Sequence, residues 1–481
     1  MNTIKMWILI NTILKNFRGC VTRKASYKWF VIITVGCLIC NDSWGITSII
    51  RDLNINYKLY ETMLNFFRSK SWELETLTKQ WISILINNAP IIKEGDYAVL
   101  IGDGVKQSKE GKRMPGVKKL HQESENSKKA EYMFGHMFGA IGILIGNETK
   151  KYCTPISIKI HDGVNKIRIW NEGIKKTFAF SHVVQMVIDG VEITKKLGKS
   201  ILILDRYFLS VKALKKLDEL SEFGMEIITR AKKTCTAYYE KDKYCGRGRK
   251  PKKGKTVKVM DFFESKKEEF KEAVLTLYGE KEKVRYYCIN LLWGQTLYKK
   301  LRFVLVEYNG IQSILVSTKL DLDPCRIIEL YSYRFKIECC FREIKQVIKG
   351  FSYHFWSKKM PKLNRYKKKD EPEAIDNIIN KKAKKLIIGA LKAMEGYVFC
   401  NCVAIGILQI LSIKVSPFID KKLFRFIRTH SKTDYASELT ISCYLRKNIF
   451  SFIRFYDGLE ISQIINEKQD LARLYEDFTA S

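Results

Sequence analysis

The sequence is short of negative charge. It sets 51 Asp and Glu against 85 Lys and Arg, a net charge of +34 over 481 residues. So large an excess calls for a polyanionic partner, either nucleic acid or an anionic membrane surface. Part of it is compositional, because Lys, Ile and Asn are abundant throughout. Long apolar runs are missing too. Met6 to Leu14 is short, broken by Asn11 and followed by no small-residue cleavage site, Trp29 to Cys40 has twelve residues, and Val398 to Ile413 carries Asn401 and Gln409. None reaches the roughly 20 apolar residues of a membrane span, so all three read as core helices. Nucleic acid is left as the polyanion, with the cytoplasm and its nucleoid as the compartment and no membrane partner. Zinc-finger spacing is absent: Cys37 and Cys40 have no second Cys pair or His at the required distance. The 13 Cys are scattered, often in apolar runs, which suits buried free thiols in a reducing compartment. No heptad repeat specifies an oligomer.

The pattern of the chain changes several times. Residues 1–90 read as helical, and Ile46 to Leu53, a break at Asn54-Ile55-Asn56 and Tyr57 to Phe67 form a candidate helix-turn-helix. Residues 91–221 alternate strand and helix. YAVLIG from Tyr97 is a continuous apolar run, as in a strand buried on both faces, and it ends on Asp103-Gly104. A basic loop with Lys106 and Arg113 follows. Strands over Tyr132 to Ile145 and Thr154 to Ile160 come next, then a helix with apolar positions from Phe180 to Val191. The strand SILIL at Ser200 to Leu204 also ends on an acid, Asp205. Residues 222–322 carry short β patterns (EIITR, TVKVM, VRYYCINLL, LRFVLVEY, SILVST) and the basic stretch GRGRKPKKG with Arg247 and Arg249. Residues 323–415 and 416–481 read as helical again. The fold class is α/β.

Residues Asp323 to Gly350 predict one helix marked at both ends. Asp323 suits the N-cap, Pro324 the first helical position and Gly350 the residue just past the end. Tyr331, Arg334, Glu338 and Lys345 fall within roughly 60° of one another at about 100° per residue, and Arg342 joins that face. By itself this spacing also describes a solvated salt-bridge face.

Two apolar strands each ending on Asp change that balance. Ligand sites of open sheets lie outside strand ends. If the two strands are neighbours, Asp103 and Asp205 converge there, and a helix packed on the sheet adds Glu338. Three hard oxygen donors suit Mg2+ or Mn2+. Two such ions would clamp the attacking and leaving oxygens of an in-line phosphoryl displacement. Arg334 and Lys345 would neutralise phosphate charge and the Tyr331 hydroxyl would bond a phosphate oxygen.

At these residues the sequence resembles the DDE transposases of the insertion-sequence class marked by Tyr-x2-Arg-x3-Glu-x6-Lys, here Tyr331, Arg334, Glu338 and Lys345. The first acid stands in LIGDGVKQSKEG and the second in LILDRYF, with separations of 102 and 133 residues (205 − 103 and 338 − 205). The resemblance spans about residues 25–420. It implies a ribonuclease H-like mixed sheet with flanking helices, its first part at 91–221 and its second at 323–415, interrupted by the β-rich insertion at 222–322. Helical regions lie at 1–90, a candidate for DNA binding, and at 416–481. It implies Asp103, Asp205 and Glu338 as catalytic metal ligands, with Tyr331, Arg334, Lys345 and Arg342 on DNA phosphates. The activity implied is metal-dependent cleavage at the ends of an insertion sequence and strand transfer into target DNA by a homodimer. Lys106, Arg113, His121, Arg247, Arg249 and Trp293 are further candidate DNA contacts. Trp293 reads first as a core aromatic, although members of this class can use an aromatic of the insertion to hold a flipped base, and the GRGRKPKKG hairpin resembles a minor-groove hook or is a flexible basic loop without groove specificity. Asp96, Asp162 and Asp189 read as surface or cap residues, and His121 and His136 lie near the first acid, His121 being otherwise structural if it does not contact DNA. Two competing readings are a catalytically silent end-binding repressor, disfavoured by the three acids being present, and another ribonuclease H-like nuclease such as a junction resolvase, disfavoured by the long insertion.

Overall fold

A computed structural model describes residues 2–40, 42–43, 45–122, 130–172, 181–241, 250–366, 374–418 and 435–470. The chain opens with five helices: α1 (Asn2–Lys15), α2 (Lys24–Ile39), α3 (Ile46–Asp52), α4 (Tyr60–Arg68) and α5 (Leu74–Asn88). Asn54, at φ 50°, turns the chain between α3 and α4, where the Asn-Ile-Asn break was expected. Strands β1 (Lys93–Glu94), β2 (Tyr97–Ser108), β3 (Lys118–His121), β4 (Tyr132–Gly146) and β5 (Lys151–Ile160) follow, then α6 (Asn165–Glu172), α7 (His182–Leu197), β6 (Ser200–Ile203) and α8 (Val211–Glu219). The next stretch holds β7 (Met225–Arg230), β8 (Thr236–Tyr238), β9 (Thr256–Lys258), α9 (Phe262–Ser265), β10 (Lys271–Leu277), β11 (Glu280–Trp293), β12 (Lys299–Tyr308) and β13 (Ile311–Ser317). The chain continues through α10 (Pro324–Ser332), α11 (Phe335–Gln346), α12 (Lys381–Lys414), α13 (Glu438–Phe455) and α14 (Glu460–Asn466).

The described strands form one mixed sheet of 13 strands, ordered β3-β4-β2-β6-β7-β13-β12-β11-β8-β9, with β1 on β2, β5 on β4 and β10 on β11. This mixed α/β architecture fits a ribonuclease H-like transposase fold. Strands β2, β6 and β7 run parallel, and the other named pairs are antiparallel. The parallel trio is apolar on both faces, Ala98 to Ile101 and Ile201 to Ile203 all being buried, because helices cover the sheet from either side. Strands β7 to β13 join this sheet edge to edge through β6–β7 and β7–β13.

The core centres on α12, which packs against β5, α2, α4, α5, α6 and α13. By length and composition it is apolar enough to cross a membrane, contrary to the expectation from Val398 to Ile413 alone, because the helix runs through the Asn and Gln that interrupt the apolar run. Its apolar window lies wholly inside the protein. Two of the polar side chains it buries, Glu395 and Gln409, are paired across the core, whereas Asn401 Oδ1 is buried without a partner. Glu395 accepts from the Ile160 amide at 3.0 Å and from Arg168 at 2.6 Å, and Gln409 accepts from the Thr154 hydroxyl at 2.6 Å.

Two expectations about the key segments are corrected. Strand β2 does not end on Asp103-Gly104 but runs on to Ser108, because β4 continues to pair with it, Asp103 opposite Ala140 and Ser108 opposite Gly135. The 323–350 segment is two helices. At their junction the amides of Tyr333 and Arg334 bond the carbonyls three residues back, Leu330 at 3.1 Å and Tyr331 at 3.0 Å, tightening the turn to 3-10 geometry. Its start is as expected, with Asp323 accepting from the amides of Cys325 and Arg326. At its end the left-handed residue is Lys349, at φ 52°, not Gly350. Gly350 is required for space instead: a Cβ there would lie 2.7 Å from Ile344 Cγ2 and 3.0 Å from Asn401 Cβ.

Candidate active site

The parallel register of β2 and β6 sets the site. The last pair is Ile101 with Ile203. Asp103 and Asp205 each stand two residues further on, so their side chains project side by side from the same face as that pair. Asp205 keeps extended backbone (φ −74°, ψ 166°), and its carbonyl accepts from the Thr229 hydroxyl at 2.9 Å, which holds it against β7. Asp103 remains within β2, its Oδ1 accepting from the Gly104 amide at 2.7 Å. The glycines on either side face α7 on the other side of the sheet. A Cβ at Gly102 would sit 2.8 Å from Leu204 and 3.1 Å from Met186, and one at Gly104 would sit 2.5 Å from Met137 and 3.0 Å from His182. Asp103 is therefore carried on a strand whose reverse face admits no side chain at its neighbours.

Helix α11 packs on β2 and β5 and brings the third acid. The 3-10 turn delivers Arg334 between two carboxylates. Its Nη1 donates to Asp103 Oδ2 at 3.2 Å and its Nη2 to Glu338 Oε1 at 2.5 Å, one helical turn on. Side-chain exposures are 23% for Asp103, 20% for Arg334 and 55% for Glu338, so the group opens to solvent along the Glu338 side. Burial pushes the Asp103 carboxyl up to about 6. The Gly104 amide and Arg334 pull it down, while Asp205 and Glu338 push it further up. Tyr331 is half-buried in the same neighbourhood, and burial, with Asp205 contributing, raises its phenol to about 12, so it stays a donor.

The donor set is three carboxylates, the hard oxygen ligands that divalent ions such as Mg2+ and Mn2+ take. Yet among the described residues no three His, Cys, Asp or Glu side chains are grouped tightly enough to hold an ion as they stand. The Arg334 guanidinium occupies the space between Asp103 and Glu338, contributing there the positive charge a metal would otherwise bring. The chemistry of the set fits a divalent cation, and the position of Arg334 must change to admit one.

The remaining expected residues are dispersed. Lys345 is exposed on α11. Arg342 pairs with Glu343 at 3.0 Å and lines a separate cleft with Lys150, Lys151 and Lys336, away from Arg334. Lys106 donates to the His121 carbonyl at 2.7 Å, and the exposed His121 ring meets Tyr132 edge-on at 5.4 Å. Arg113 donates to the carbonyls of Lys358 and Met360, which pins that segment to the loop after β2. Trp293 is half-buried near Cys235 at the end of β11. Arg247 and Arg249 lie outside the described residues.

Sequence reasoning missed a buried chain of polar groups under Gly104. Asp189, read there as a surface or cap residue, is 6% exposed on α7. His161 bonds Asp189 through Nε2 at 2.8 Å and His182 through Nδ1 at 2.9 Å. His182 Nε2 is buried beside Gly104 with no partner, and its ring packs on Tyr207 and Phe208, which follow Asp205. Only an Asp at helical spacing inside an apolar face hinted at this. His136, near the first acid in sequence, is fully buried between the Tyr353 hydroxyl at 2.6 Å and the Pro115 carbonyl at 2.8 Å.

Residues 180–355 match the family described as the transposase DDE domain. The match takes in Asp205, Tyr331, Arg334, Glu338 and Lys345 and begins beyond Asp103. No curated protein and no solved structure matches. The match supports a DDE transposase, a class that acts on DNA and generally uses divalent metal ions.

Proposed function

We propose that the protein is a DNA transposase of the insertion-sequence class. In this reading it cleaves DNA at the ends of its element and joins the freed 3′-hydroxyl to target DNA. Asp103, Asp205 and Glu338 hold two Mg2+ or Mn2+ ions. The observation that carries the reading is the parallel register of β2 and β6, which brings Asp103 and Asp205 out together beneath the helix bearing Glu338.

Bound there, divalent ions neutralise phosphate charge and activate the attacking hydroxyl or water. The chain's own residues do the rest. Arg334 exchanges its carboxylate partners for a phosphate, which a guanidinium meets with two parallel donors. That exchange frees Asp103 and Glu338 for the cations. Tyr331, at the end of α10 and kept protonated, donates to a phosphate oxygen, and Lys345 adds a point charge on α11. Burial of Asp103 excludes water from one side of the reacting phosphate. We read residues 91–221 and 323–415 as the two parts of the catalytic core, with 222–322 inserted between them and 1–90 as the region binding element ends. Lys106, Arg113, His121, Arg247, Arg249 and Trp293 then contact DNA outside the centre, Arg342 lies on its flank, and a homodimer holds paired ends.

The test is nicking of DNA that carries the ends of the element, in Mg2+ or Mn2+. Asp103→Asn, Asp205→Asn and Glu338→Gln are expected to abolish nicking while leaving DNA binding in place. Nicking by any of them at the parent rate removes the assignment. Arg334→Ala and Lys345→Ala are expected to slow the reaction through weaker engagement of the cleaved strand, and an unchanged rate for both contradicts the phosphate role.

A further inference from the structure

Beyond α11 the chain runs extended with strict alternation. Phe351, Tyr353, Phe355 and Ser357 are buried, and His354, Trp356 and Lys358 point outward. The inward row is anchored to the loop after β2. Lys109 donates to the carbonyls of Phe351 and Tyr353 at 2.5 and 2.9 Å and sits 3.8 Å over the Tyr353 ring. The Ser357 amide bonds the Arg113 carbonyl at 3.2 Å, and the Leu363 amide bonds that of Lys112 at 2.7 Å. Between loop and segment lies a cleft of about 790 Å3. Lys109, Lys112, Arg113 and Lys362 line it with one carboxylate, Glu110, and Trp356 forms part of its wall. Trp356 is 48% exposed although its neighbours on both sides are core residues.

The segment therefore spends backbone and loop contacts on holding a tryptophan at the edge of a basic cleft. An aromatic face among cations is the recognition chemistry of an unpaired nucleobase with its flanking phosphates. We propose that this cleft binds a single-stranded stretch of DNA, with one base stacked on Trp356 and the neighbouring phosphates on Lys112 and Lys362. The proposal rests on the reading of the protein as DNA-acting and adds a contact that no part of the Asp103–Asp205–Glu338 group makes. The site starts where β2 ends, at Ser108, five residues from Asp103. At about 3.4 Å per residue this is roughly 17 Å along the strand, or about five nucleotide steps of duplex from the reacting phosphate.

The test compares two probes by fluorescence anisotropy, with EDTA present so that no cleavage intervenes. One is a short oligothymidylate and the other the same phosphodiester length without bases. Trp356→Ala is expected to weaken oligothymidylate binding roughly tenfold and leave the abasic probe unaffected. Trp356→Phe should recover most of the loss, whereas Trp356→Leu, which keeps apolar bulk without an aromatic face, should not. A 2-aminopurine placed in the strand should be quenched by the parent and not by the Leu variant. Equal affinity of parent and Leu variant for oligothymidylate overturns the proposal, as does an equal loss on both probes. So does displacement of the oligonucleotide by polyglutamate as readily as by DNA, which would make this an acidic-peptide site. Because the readout needs no metal, loss of nicking in the parent would count against the transposase reading alone, and a Trp356 without effect would count against this cleft alone.

Discussion

Opposing influences meet at the Asp103 carboxyl. Burial and two nearby carboxylates hold its pKa near 6, and the Gly104 amide and Arg334 offset them only in part. The folded pKa lies above the ordinary 3.8, so the stability tied to the protonated form is present below about pH 4 and lost as pH rises through 6. At neutral pH the ionised carboxylate costs the fold on the order of 3 kcal/mol. Asp103→Asn should therefore raise the melting temperature at pH 7.5 while abolishing nicking, and a lower melting temperature than the parent contradicts this account. His136 shifts the other way. Burial pushes its pKa down to about 4, so it stays neutral when folded but would be charged when unfolded below about pH 6.5. Its contribution to stability falls as pH drops from 6.5 toward 4. Burial pushes His182 down to about 4 as well, with His161 beside it adding to the shift. Selectively labelled histidine followed by NMR should show two imidazoles, His136 and His182, titrating near pH 4, and six signals all titrating near 6.5 would contradict the buried geometry.

At the scale of elements, the glycines of the central strands show how tightly the site is backed. A Cβ on Gly139 of β4 would lie 1.9 Å from His161 Cε1, and that ring is fixed on both sides by Asp189 and His182. Gly139→Ala should cost about 2–4 kcal/mol, from forced displacement plus a broken buried hydrogen-bond chain. A melting temperature equal to the parent's would show that the ring moves freely. The sequence made much of this level readable. The apolar runs at Tyr97 and Ser200 located β2 and β6, and Asp323-Pro324 located the start of α10. It could not show that β2 continues past Asp103, because Gly104 to Ser108 has no apolar alternation and is held as strand only by pairing with β4. Nor could it show the break at Arg334, since the residues there are compatible with helix and the tighter turn is set by docking on the sheet. The polar chain of Asp189, His161 and His182 comes from two separated segments and had no local signature. Strands β3 and β8 were missed because they are only four and three residues long and exist through their partners.

Over the whole molecule the excess of 34 positive charges is the largest feature left unbalanced by any partner within the chain. DNA binding should release counterions in proportion to phosphates contacted, so affinity should fall by at least a hundredfold between about 50 and 200 mM salt. An affinity insensitive to salt would mean that the charge serves something else. For the proposed chemistry, divalent cations enter among Asp103, Asp205 and Glu338 as Arg334 leaves. Crystals of the full chain grown with DNA and Mn2+ and measured at the manganese absorption edge test this directly. The expected result is anomalous density bounded by those three carboxylates, with the Arg334 guanidinium on a phosphate. Active protein whose Arg334 still bridges Asp103 and Glu338, with manganese bound elsewhere, would contradict it.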